Sequence, residues 1–165
     1  MDPQIISTCF TMRYYTTTTV SQLNEAVASE ALAERCIHAI LERNLSNCTS
    51  NILAWQKFVE DDGGACPWVK PIAGTTAVVK FHRNGRPVDD VKLCLLAQEK
   101  ADVCLIPGRK CFGDDVHFEG YVRIGIGLHP TQVTEGLSAL TKFMEENFTS
   151  VPYSSSSSIK LTKYE

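Results

Sequence analysis

The chain has 165 residues, 44% of them hydrophobic, enough for one core or one core with an appendage and too many for a disordered polypeptide. A formal charge of -3 and a pI near 5.8, with Lys and Arg scattered along the chain, give no electrostatic footprint for nucleic acid, and no nucleic-acid partner is expected. Met1-Asp2-Pro3-Gln4 does not begin a basic segment followed by an apolar run, and no stretch approaches membrane-spanning length, so the expectation is a cytoplasmic chain with no membrane partner.

Asp2 and Pro3 are good first residues for a short helix through Ile5, Ile6 and Cys9. Tyr14 to Val20 is rich in β-branched side chains, which disfavour helix, and reads as an extended connector. Ser21 is an N-cap for a helix through Leu23, Ala26, Val27 and Ala31. From about Ala33 to Val59 the residues Ile37, Ile40, Leu41, Leu45, Ile52, Trp55 and Phe58 recur near a 3.6 period, the pattern of a long helix serving as core or brace. Asn47 to Ser50 is a place for it to bend, and Gly63-Gly64 stops it.

The character then changes. Trp68 to Pro71 reads as a short strand and Thr75 to Phe81 as a stronger one, followed by the turn Asn84-Gly85-Arg86-Pro87. Val88 to Ala101 is a helix with Asp89 and Asp90 in its first turn, where the helix dipole favours negative charge. Asp102 to Gly108 is a short apolar strand ended by Pro-Gly, and Tyr121 to Gly127 is another. In that second strand Val122, Ile124 and Ile126 share one face, and Arg123 stands alone among short or aromatic neighbours on the other. Thr131 to Asn147 is the last helix, with Val133, Leu137, Leu140 and Met144 in a stripe. The fold class is α/β, with an α+β small domain: long N-terminal helices, then a β-β-α-β-β-α region forming a small mixed or antiparallel sheet with helices on one face. The expected division is 1–60 helical brace, 61–150 small domain and 151–165 a disordered polar tail containing the serine run Ser154 to Ser158.

Seven cysteines, an odd number with no C-x-x-C pair, are expected to be reduced and mostly buried, and no metal site is expected. His38, His82, His117 and His129 have no partner at a recognisable catalytic spacing, and the sequons at Asn44, Asn47 and Asn147 are read as chance. Ser157-Ser158-Ile159-Lys160 fits S-x-x-K but lies in the low-complexity tail. No catalytic residue is assigned. Arg123 is either a surface strand residue or a carboxylate-binding group, because a planar guanidinium on a rigid strand matches a carboxylate bidentately.

Four motifs in order carry a resemblance: Pro71-Ile72-Ala73-Gly74-Thr75-Thr76, Val103-Cys104-Leu105-Ile106-Pro107-Gly108, Cys111-Phe112-Gly113, and Tyr121-Val122-Arg123-Ile124-Gly125. The arrangement resembles the C-terminal part of the class I/II, fold-type I aminotransferases that use pyridoxal phosphate, where a P-x-G-G strand leads through a helix to P-G-x-x-F-G and a final R-I-G/S strand. The resemblance extends from Asp2 to about Phe148 and implies that Arg123 grips the α-carboxylate of an amino-acid or 2-oxo-acid substrate in a homodimeric parent. It also makes Thr17 and Thr18 candidates for contact with the cofactor phosphate of a neighbouring subunit. Two positions depart from the family: Ala73-Gly74 replaces Gly-Gly, and Arg109 follows Pro107-Gly108 where the family has serine. The family's Schiff-base lysine, its aspartate at the pyridine nitrogen and most of its phosphate ligands correspond to positions before Met1. The expectation is therefore a C-terminal portion that holds no pyridoxal 5'-phosphate covalently and is inactive alone. The alternatives are a non-catalytic binding or regulatory module on that fold, or part of a fold-type I lyase or synthase. Whether the chain by itself is an enzyme is left open.

Overall fold

A computed structural model describes residues 2–16, 21–61, 65–112 and 116–154. Residues up to Arg43 form one compact unit and those from Asn44 another. The N-terminal unit contains α1 (Pro3–Thr16), α2 (Gln22–Ala31) and the start of α3 (Glu34–Asp61). Helix α1 is longer than predicted, for Tyr14, Tyr15 and Thr16 are helical rather than extended. Thr8, Thr11 and Thr16 each donate their hydroxyl to the carbonyl four residues earlier, which satisfies these side chains inside the helix. Ser21 stands at the N-cap of α2 with extended backbone, although its hydroxyl makes no capping bond. Neither α1 nor α2 contains a buried residue.

Helix α3 runs unbroken through Asn47 to Ser50. Of its predicted stripe only Trp55 and Phe58 are buried, while Leu41 and Leu45 are exposed. The boundary between the two compact units falls inside α3, at Asn44.

The C-terminal unit is built on a three-stranded antiparallel sheet of β1 (Thr76–Lys80), β4 (Ile106–Pro107) and β5 (Tyr121–Gly125), in the order β1-β5-β4. Ala77 and Val79 on β1 and Val122 and Ile124 on β5 are buried, forming the core face that period-two alternation predicts. The predicted strand at Trp68 to Pro71 reduces to one bridge between Trp68 and Val79, since the flanking Pro67 and Pro71 have no N–H to continue a ladder. Likewise only two residues of the apolar run 102–108 pair. Asp102 is left-handed (φ 55°) and closes the preceding helix, α4 (Asp90–Ala101).

Between these strands, β2 (His82–Arg83) and β3 (Arg86–Pro87) form a hairpin. Its turn residues Asn84 (φ 52°) and Gly85 (φ 73°) take the positive φ angles that a tight two-residue hairpin turn requires. Asp89, read from sequence as part of the first turn of α4, is instead its N-cap and accepts from the N–H groups of Val91 and Lys92, each at 3.0 Å. Helix α5 (Gly108–Phe112) and a 3-10 turn at Val116–Phe118 lead into β5, and α6 (Pro130–Asn147) follows it. Val133, Leu137, Leu140 and Phe143 of α6 are buried with the core.

The polar tail begins later than expected. Val151 and Ser154 are buried, Tyr153 bridges Val88, and the guanidinium groups of Arg83 (4.5 Å) and Arg86 (4.7 Å) both lie over the Tyr153 ring. Arg83 also donates to the Phe148 carbonyl at 2.6 Å. These contacts hold residues 151–154 on the hairpin, and the rest of the serine run lies outside the described residues. None of the seven cysteines forms a disulfide, but only Cys66 and Cys94 are buried, so the expectation of mostly buried thiols is corrected. The side chains of Cys9 and Cys104 reach solvent because they lie on an uncovered helix and an irregular connector.

The turn into β5 tolerates little change. Gly120 has φ +77°, and a Cβ there would lie 2.5 Å from the Phe81 carbonyl oxygen. Gly120→Ala combines left-handed strain with this backbone clash, and we expect a loss of about 2–4 kcal/mol, read as a lower urea midpoint at unchanged slope.

Candidate functional site

Arg123 occupies the middle of the central strand, directly across from Val78 on β1 and Ile106 on β4. Cross-strand partners share a face, so the guanidinium stem rises between two aliphatic side chains. The residue is half-buried and makes no hydrogen bond or ion pair among the described residues. Arginine carries five donors, and one that is partly desolvated and unpaired is poised for an anion. Toward the start of β5 on the same face, Tyr121 pairs with Lys80, whose ammonium sits 5.1 Å from the ring centroid. Phe118 packs edge-on to Tyr121 at 6.2 Å. Toward the other end, Gly125 opposite Thr76 leaves the face bare of bulk. The face thus offers one fixed fork of donors with an aromatic side and an open side.

Two buried polar devices hold this strand, and sequence reasoning missed both. Asp90 is wholly buried, accepting from the Arg109 backbone N–H at 3.2 Å and from its Nε at 2.6 Å, while Arg109 Nη2 reaches Asp89 at 3.1 Å. This pins the β4–α5 corner, where Pro107 pairs with Val122 and Gly108 comes so close to β5 that a Cβ would lie 2.6 Å from the Tyr121 carbonyl oxygen. Arg109, read only as a departure from the family, is the partner that permits Asp90 to be buried. The readable signal was a helix opening on two aspartates with an arginine 19 residues on.

Asn51, inside the apolar stripe of α3, is the second device. It is buried and donates both amide hydrogens, to the carbonyls of Ile126 (2.9 Å) and Leu128 (2.8 Å), fixing the chain as it leaves β5. Cys94 on α4 has its thiol pushed up to about 12, first by burial and then by the nearby Asp90 carboxylate, so it stays protonated and unreactive.

Thr17 and Thr18 lie outside the described residues. No group of three His, Cys, Asp or Glu among the described residues could hold a metal ion, and none of the described helices is long and apolar enough to cross a membrane. The described lysines are exposed, apart from half-buried Lys80. A lysine that holds an aldehyde cofactor needs desolvation or a neighbouring cation to lower its pKa. The described residues therefore do not fit a covalent pyridoxal phosphate site.

No protein-family profile matches the chain. Over 82 residues it is 35% identical to an aspartate aminotransferase from Streptomyces avermitilis, a stretch covering 50% of this chain and 18% of that protein. Its fold matches a pyridoxal-phosphate-dependent aminotransferase from Streptococcus suis (TM-score 0.68, 24% identity, 87% of this chain and 36% of the other). It also matches LysN, an α-aminoadipate aminotransferase from Thermus thermophilus (0.69, 17% identity, 91% and 38%). The pyridoxal-phosphate-dependent cyclase OrfR matches as well (0.69, 23% identity, 87% and 37%). The chain thus spans little more than a third of the length of these solved relatives.

Proposed function

We propose that this chain, which has the fold of the C-terminal part of a pyridoxal-phosphate-dependent aminotransferase, supplies the carboxylate-binding side of such an enzyme. The observation that carries the reading is the Arg123 guanidinium, half-buried at the centre of the sheet between Val78 and Ile106 with no partner among the described residues. There it takes the α-carboxylate of an amino acid or 2-oxo acid through two parallel N–H···O bonds, which fixes the direction of the Cα substituents. The aliphatic flanks lower the local dielectric and strengthen that pair. Pyridoxal phosphate, when bound, supplies the electron sink for amino transfer. The cofactor lysine comes from the part of the enzyme's length that this chain does not cover. Exposed apolar side chains in the helical unit, among them Ile5, Phe10, Leu23, Val27 and Leu41, suit assembly with that part and into a homodimer. OrfR is a cyclase on the same fold, and a guanidinium orients a carboxylate whichever bond to Cα then breaks. Amino transfer is preferred because the other relatives named above are aminotransferases.

The test is a titration of the 15N-labelled chain with pyruvate against a chloride control, following the Arg123 Nε–H and the backbone N–H resonances of β5, the latter being retained in every variant. A saturable shift is expected in the native chain. Arg123→Gln should lose it, and Arg123→Lys should not restore it, because an ammonium group cannot form the paired bonds. Equal affinity in native and Arg123→Gln chains rejects the reading. In parallel, pyridoxal phosphate followed by borohydride should label no single lysine stoichiometrically. A unique adduct accompanied by amino-acid turnover would show that the chain holds its own cofactor.

A further inference from the structure

The hairpin of β2 and β3 carries two arginines directly across from each other, Arg83 and Arg86, on either side of the Asn84-Gly85 turn. Like charges at opposed positions of an antiparallel pair repel and weaken it. Both side chains rise on one face, and their guanidinium groups stand 4.5 and 4.7 Å from the centroid of the same ring, that of Tyr153. The ring attracts each cation but carries no net charge, so the repulsion between the two remains.

This pair lacks a counter-charge. Neither arginine forms an ion pair with a carboxylate among the described residues. The Tyr153 hydroxyl is held below the usual phenol range, first by the hydrogen bond from Arg83, against the opposing effect of desolvation, and then by Asn84 and the charges of both arginines. No carboxylate opposes that shift among the described residues. The donors are also incompletely used. Arg83 gives Nη1 to the Phe148 carbonyl (2.6 Å) and Nε to the Tyr153 oxygen (3.3 Å), which accepts from Asn84 Nδ2 as well (3.4 Å). Arg83 Nη2, the whole Arg86 fork and the Tyr153 O–H proton have no acceptor among the described residues. Anchoring residues 151–154 accounts for Arg83, whereas the exposed Arg86 contributes no hydrogen bond to the fold.

We propose that this hairpin binds a doubly charged oxyanion of the phosphate class, free or as a small monoester, held by the Arg83 and Arg86 forks and the Tyr153 O–H. Such an ion cancels both charges and offers several acceptor oxygens to guanidinium forks. A carboxylate cancels only one, so the ligand differs in class from that assigned to Arg123, and this site does not rest on that assignment.

The test titrates the full 15N-labelled chain with inorganic phosphate and, separately, with glycerol 3-phosphate at about pH 8, where a phosphate monoester is largely dianionic. Ionic strength is held constant, chloride is the control, and the backbone N–H groups of Asn84 and Gly85 are followed, since every variant retains them. A saturable shift is expected with the phosphates and not with chloride. Arg86→Gln removes one fork and no hydrogen bond of the fold, so the chain should stay folded and bind at least about tenfold more weakly. Tyr153→Phe keeps the ring, removes one donor and should weaken binding about fivefold. Lys142→Gln, which removes an exposed charge on α6, should bind as the native chain does. Tighter binding of the ester assigns the site to phosphorylated small molecules, tighter binding of the free ion to inorganic phosphate, and both support the oxyanion site. The proposal is overturned by a shift that chloride reproduces or that does not saturate, by native affinity in Arg86→Gln or Tyr153→Phe, or by Lys142→Gln weakening binding as much as Arg86→Gln.

Discussion

Arg109→Met is expected to destabilise the C-terminal unit by about 3–5 kcal/mol, the largest effect of any single substitution considered for this chain. The Asp90 side chain has no solvent exposure, and Arg109 supplies both its side-chain partner at 2.6 Å and a backbone N–H at 3.2 Å. Methionine keeps much of the stem volume and removes the charge, so the loss reports an unpaired carboxylate in the core rather than a cavity. The double variant Asp90→Leu with Arg109→Met should recover most of the stability, because replacing both members of a buried pair by apolar side chains removes the desolvation penalty along with the attraction. Urea unfolding of the four chains in this cycle measures both effects. Additive losses in the double variant would show that the pair does not act as a unit. Because the β4–α5 corner leans on β5, Arg109→Met should also weaken the carboxylate binding proposed for Arg123.

Asn51→Leu is expected to cost about 2–4 kcal/mol, even though leucine branches at the same atom and suits the apolar stripe of α3. Both amide hydrogens are in use, and removing them orphans the carbonyls of Ile126 and Leu128 together. Those carbonyls belong to the segment that turns the chain from β5 into α6, so the loss falls on the end of the strand that carries Arg123. Hydrogen exchange should accelerate at 124–128 more than in β1. An Asn51→Leu chain with native stability would mean that these carbonyls find other donors at no cost.

Much of the architecture was legible before any coordinates. Long helices leave a strong 3.6-residue repeat, and α6 appeared within one residue of its observed start because its apolar spacing coincides with Pro130 at the first turn. Strand β1 was equally clear from its β-branched alternation, and the turn at Asn84-Gly85 from a dipeptide that takes two positive φ angles easily, although the two short strands it joins were not read. Weak strands were over-read. Trp68 to Pro71 and Asp102 to Gly108 have strand composition, but pairing depends on backbone donors that proline lacks and on a partner edge that no local pattern encodes. The reverse error occurred at Tyr14 to Thr16, where the β-branched Thr16 joins a helix by bonding its hydroxyl to the Met12 carbonyl.

By itself the sequence determined the fold class, the order of elements and Arg123 as the residue worth testing, since each depends on side-chain periodicity or on motifs met in one direction along the chain. Only the tertiary structure decided what surrounds that arginine. Val78, Ile106, Asp90 and Asn51 come from four separate segments, and their placement depends on strand register, burial and hydrogen bonds across 19 to 75 residues of sequence. Local chemistry is written in neighbouring residues, whereas pairing across the core is set by the global packing that brings distant residues within reach of one another.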